Sequence, residues 1–75
     1  NEQQEMYNWL TIMCQRTYNY YQNNMRSVFN REPADLDGPD FDEWCKWRAA
    51  RTIAGFANVN VATDNLAQRL YNTII

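Results

Sequence analysis

Six carboxylates fall within twelve residues of this chain, at Glu32, Asp35, Asp37, Asp40, Asp42 and Glu43. Oxygen donors at that density suit a hard cation. A calcium loop needs ligands at positions 1, 3 and 5, a glycine at 6 and a glutamate at 12. Counted from Asp35, position 5 is Pro39 and position 6 is Asp40, so the pattern fails and no metal is expected. The plain reading of this acidic loop is a solvated segment that runs into a helix cap. The sharper alternative is docking on a basic partner surface.

Thiol chemistry is the second candidate. The chain has two cysteines, Cys14 and Cys45, and no histidine. Zinc requires four ligands at close spacing, and no C-x-x-C pair is present for thiol exchange. Two readings remain: a pair of buried free thiols, or one structural disulfide, Cys14–Cys45, in an oxidising compartment. Small size favours the disulfide. Closing a 30-residue loop would stabilise by about 3–4 kcal/mol, comparable with the roughly 3–5 kcal/mol expected of so small a core. In a tight antiparallel hairpin the two cysteines would sit about 15 Å apart in level. The bond therefore requires a loop that runs back along the first helix, or helices that cross steeply.

Catalytic equipment is scarce. Without histidine there is no ordinary general base near neutral pH. Ser27 is the sole serine and has no nucleophile-elbow sequence around it. No glycine-rich phosphate loop exists. We expect no enzyme activity, no cofactor and no small-molecule substrate.

The densest aromatic and basic tract is Trp44-Cys45-Lys46-Trp47-Arg48-Ala49-Ala50-Arg51. Trp44 with Arg48, and Trp47 with Arg51, are i,i+4 pairs that bring each guanidinium over an indole face. Such interleaving occurs in single-strand nucleic-acid binders. Here only four basic residues occur in residues 44–75, against one acid, while residues 1–43 carry three against eight. Nucleic acid is therefore not the expected partner. Trp and Arg are also typical anchors of protein interfaces. Tyr18, Tyr20 and Tyr21 cannot all face inward from one helix, so Tyr20 is expected outside. Trp9, Tyr20, Trp47, Arg48 and Arg51 make the candidate partner-binding surface.

Helices must position these residues. Tyr7, Leu10, Cys14, Tyr18, Tyr21, Met25 and Val28 recur at steps of three and four, predicting a helix over 2–29. Met6, Trp9, Met13 and Tyr20 lie on its flank, and the asparagine pair Asn23-Asn24 is a point for a break. Two prolines and a glycine make 30–40 a loop. Asp40 with Glu43 is a capping arrangement that opens a second helix. Its inward stripe reads Phe41, Cys45, Ala49, Thr52, Ile53 and Phe56. A third helix spans 61–73 with Ala62, Leu66, Leu70 and Thr73 or Ile74 inward. The apolar tail 71–75 completes the core or meets a partner.

Three amphipathic helices read as a single all-α domain over 1–75, a small three-helix bundle with one inter-helix disulfide. Leu, Ile, Val and Phe number only 14 of 75 residues, but eleven aromatics and three methionines supply the missing apolar area. No run of about 18 apolar residues crosses a membrane. The start at Asn1 rather than Met, with the disulfide, points to an exported, extracellular or periplasmic chain. The favoured function is a non-catalytic module that binds another protein or its own copy. The alternatives are a structural subunit of a virion or filament, and a cytosolic mobile-element inhibitor of a host protein.

Overall fold

A computed structural model describes residues 1–31, 40–57 and 63–75. The described chain is all-α: α1 (Glu2–Asn24), α2 (Arg26–Arg31), α3 (Phe41–Ala57) and α4 (Thr63–Thr73). Asn1 caps α1, its side-chain oxygen accepting the Gln4 N–H at 2.9 Å. Glu2 and Glu5 in the first turn favour the positive end of the helix dipole.

The single helix expected over 2–29 is divided at Met25. There the backbone leaves helical geometry (φ −114°, ψ 12°). Hydrogen bonding nevertheless runs through the break: Met25 N–H donates to Tyr21 O at 2.9 Å, and Phe29 N–H donates to Met25 O at 3.0 Å. Beside the break Asn24 turns its side-chain amide back onto Tyr20 O at 2.9 Å, a local bond that asparagine makes readily. Four helices thus replace the three expected, although α2 is only six residues long.

Asp40 opens α3 as its spacing predicts, accepting the Glu43 N–H at 2.8 Å. α3 then serves two neighbours. Cys45, Ala49 and Ile53 are buried along one edge, while Ala50 and Ala54, in line with Trp47, are buried along another. Trp47 stacks on Tyr71 of α4, which identifies the second edge as the α4 side. Buried alanines at 49, 50, 54 and 67 allow helices to approach closely where larger residues would hold them apart. Leu66, Leu70 and Ile74 fill the α4 side of the same cluster, and Leu10, Cys14 and Tyr18 fill the α1 side. Phe56, expected inward, is instead 82% exposed.

Tyr18 and Gln22 both donate to Asp42 Oδ1, the latter at 2.8 Å. Tyr21, next to Gln22, meets Thr52 at 3.3 Å instead. Ten residues of α3 separate those two anchor points, about 15 Å along its axis. Side chains leave a helix sideways, so α3 runs across α1 at this level rather than beside it. A steep crossing is one of the two arrangements that would allow a Cys14–Cys45 bond, but the expected disulfide is not formed. Both residues are free thiols, wholly buried. Each packs as a small apolar side chain, and burial keeps it protonated rather than reactive.

The tail is fixed by Gln15. Its side-chain amide accepts the Ile75 N–H at 2.9 Å and donates to Ile75 O at 3.3 Å. Ile74 is thereby turned into the core, and the Ile75 side chain is left outside.

Candidate protein-interaction face

Trp9, Ile12 and Tyr20 are the most exposed large apolar residues of α1, at 62%, 50% and 59%. At about 100° per residue, all three lie opposite the buried row Leu10, Cys14 and Tyr18. They occupy the side of α1 turned away from α3 and α4. Met6 is exposed on their flank, and Met13 is half-buried against the core. Trp9 and Tyr20 were legible as outward-facing. Ile12 was not singled out, although its position three residues after Trp9 places it on the same surface.

The other partner-binding candidates lie elsewhere. Trp47 is half-buried, with its ring centroid 4.1 Å from that of Tyr71 and the planes inclined by 20°. Arg51 lies over the Trp47 ring at 5.2 Å and Arg48 over Trp44 at 4.7 Å, as the i,i+4 spacing predicts. Trp44 itself joins a cluster with Phe29 of α2 and Phe41, at centroid distances of 5.5 and 6.0 Å. Arg26 covers Phe41 at 4.2 Å. The five residues read as one surface therefore separate into Trp9 and Tyr20 on α1, and Trp47, Arg48 and Arg51 on α3. In the second group the indole is already occupied by internal stacking.

The acidic segment divides as well. Glu32, Asp35 and Asp37 lie outside the described residues. Asp40 caps α3, and Asp42 accepts from Tyr18 and Gln22 and pairs with Lys46 at 3.5 Å. Glu43 is exposed in the first turn of α3. Among the described residues no group of three or more cysteine, aspartate or glutamate side chains is placed to hold a metal ion.

Electrostatics follow burial. Cys14 is raised from an ordinary 9.0 to about 11 by loss of solvent. Cys45 is raised by burial and by the nearby Asp42 charge, with Arg26 opposing. Tyr18 is pushed up from 10.0 to about 12, first by burial and then by its hydrogen bond to Asp42. All three changes hold the neutral form in place, the reverse of what activates a nucleophile. Among the described residues no helix is long and apolar enough to cross a membrane. No protein-family model matches the chain, and no curated protein or solved structure shows significant similarity to it.

Proposed function

We propose that the chain is a non-catalytic helical protein-interaction module that works through the outer face of α1. The observation that carries this reading is the exposed Trp9–Ile12–Tyr20 surface, three large apolar side chains on the side of α1 that the described residues leave largely uncovered. Tryptophan at the centre of such a patch is the residue type most enriched among energetic anchors of interfaces. Trp47, Arg48 and Arg51 have a supporting role in this reading, since stacking on Tyr71 and the cation–π contacts engage them at home.

The reading needs no particular compartment. Export drew in part on a disulfide, and Cys14 and Cys45 are free. The test is affinity isolation with the wild-type chain and a Trp9→Ser, Ile12→Ser variant as baits, alongside self-association of both. A bound protein, its own copy included, should be retained by the wild type and lost by the variant. Retention of every binder by a folded variant would overturn the assignment of the face.

A further inference from the structure

Glu5, Trp9, Ile12 and Arg16 follow one another on α1 at spacings of four, three and four. At 100° per residue they fall within an arc of about 60°. All four are exposed. The spacing reads the same from either end, whereas the charge does not: an acid stands at one end and a base at the other. Among the described residues neither the Glu5 nor the Arg16 side chain makes an ion pair, so both charges remain available on this face.

A pattern with symmetric spacing and opposite terminal charges is complementary to itself when one copy is turned around. An isologous two-fold contact requires that residue i meet j while j meets i. A two-fold axis crossing α1 at the level between Leu10 and Thr11 pairs each residue with the one whose number completes a sum of 21. Trp9 then opposes Ile12 of the second copy, and Glu5 opposes Arg16 of the second copy. Each contact occurs twice. The apolar centre is bracketed by ion pairs at both ends, with Met6 and Met13 along its edges. Residues 1–20 overlap, about 30 Å of paired helix, and Tyr20 reaches the opposite N-terminus. Parallel pairing fails, because it sets Glu5 against Glu5 and Arg16 against Arg16. Among the described residues, α3 and α4 pack on the opposite face of α1, that of Leu10, Cys14 and Tyr18.

Resting on the interaction-module reading above, we propose that the occupant of this face is a second copy of the chain, paired antiparallel through α1, with Trp9 on Ile12 and Glu5 on Arg16 across a two-fold axis. Charge complementarity decides orientation and register, and the apolar centre supplies the contact area.

Sedimentation equilibrium of the full chain, from micromolar to near-millimolar concentration, tests it. The wild type should show a monomer–dimer equilibrium that salt weakens. Glu5→Arg alone, or Arg16→Glu alone, places like charges together at both ends and should raise the dissociation constant by about tenfold or more. An equimolar mixture of the two variants should recover dimer as a heterodimer, because every cross pair is again opposite in sign. Glu5→Arg with Arg16→Glu in one chain should recover the homodimer. Circular dichroism confirms that the exposed substitutions leave the fold intact. A monomeric wild type throughout the range, reversals that dimerise as well as the wild type, or a mixture that stays monomeric would each overturn the proposal. A monomeric chain that still captures another protein through Trp9 and Ile12 would remove self-pairing and leave the module reading standing.

Discussion

Trp47 of α3 lies nearly flat against Tyr71 of α4, with ring centroids 4.1 Å apart. The contact is a directional one between two elements whose buried residues are Cys45, aliphatic side chains and alanines. Offset stacking contributes about 0.5–1.5 kcal/mol beyond area burial. A double-mutant cycle with Trp47→Leu and Tyr71→Leu, followed by denaturant unfolding, should return a coupling energy in that range. A coupling indistinguishable from zero would mean that the rings are neighbours without a specific interaction, and would return Trp47 to the pool of free interface residues.

Tyr18 is one of the polar fastenings of the α1–α3 crossing, beside Gln22–Asp42 and Tyr21–Thr52. Its hydroxyl donates to Asp42, which also accepts from Gln22. A bond to a charged acceptor contributes roughly 1.5–3 kcal/mol. Tyr18→Phe keeps the ring and removes the donor, so it should destabilise by about that amount. Asp42→Ala removes the acceptor and leaves the partly buried hydroxyl without it, so the loss should be at least as large. Equal stability of Tyr18→Phe and wild type in urea would show that the Tyr18–Asp42 bond contributes nothing to the crossing.

Alkaline pH should unfold this protein in a defined window. Cys14 titrates near 9.0 when solvated and at about 11 in the fold. A raised folded-state value means that the native chain holds its proton longer, so the stabilisation is complete below pH 9 and is lost as pH rises towards 11. Each unit of difference corresponds to 1.36 kcal/mol, giving roughly 2–3 kcal/mol for Cys14. Cys45 and Tyr18 act in the same direction. Cys14→Ala with Cys45→Ala should flatten the first part of this fall. The same burial predicts that a thiol reagent at neutral pH labels the native chain slowly and labels two thiols per chain once it is denatured. Immediate labelling of the native protein would contradict the burial.

Local signals carried furthest from sequence to structure. Asp40 caps α3 because an aspartate three residues before a glutamate needs no distant partner to do so. The α1 row of Leu10, Cys14 and Tyr18 is buried because a three-and-four spacing admits one face only. What depended on neighbours did not carry. Ala50, Ala54 and Ala67 enter the core because α3 lies between two helices, and alanine carries little periodic signal of its own. Phe56 belongs to the α1-facing row of α3, but it comes after the Tyr21–Thr52 contact, and the crossing α1 leaves it uncovered. The cysteines were correctly placed in the interior on two different helices. Position alone did not reveal that they remain thiols. The partner candidates Trp9 and Trp47 are alike in type and differ only in what tertiary structure puts over them.

That difference separates stability from recognition. Leu70 is wholly buried in the hydrophobic core, and Leu70→Ala should cost about 2–5 kcal/mol, enough to unfold much of so small a domain. Trp9 is mostly in solvent, and Trp9→Ser should change monomer stability by no more than about 0.5 kcal/mol. Paired thermal melts at concentrations where the chain is monomeric check both. If the face of α1 exists for binding, Trp9→Ser weakens association while its melting temperature stays close to the wild-type value, because most of the indole is already in solvent. A large drop in the melting temperature on replacing Trp9 would show that the ring is part of the folded core.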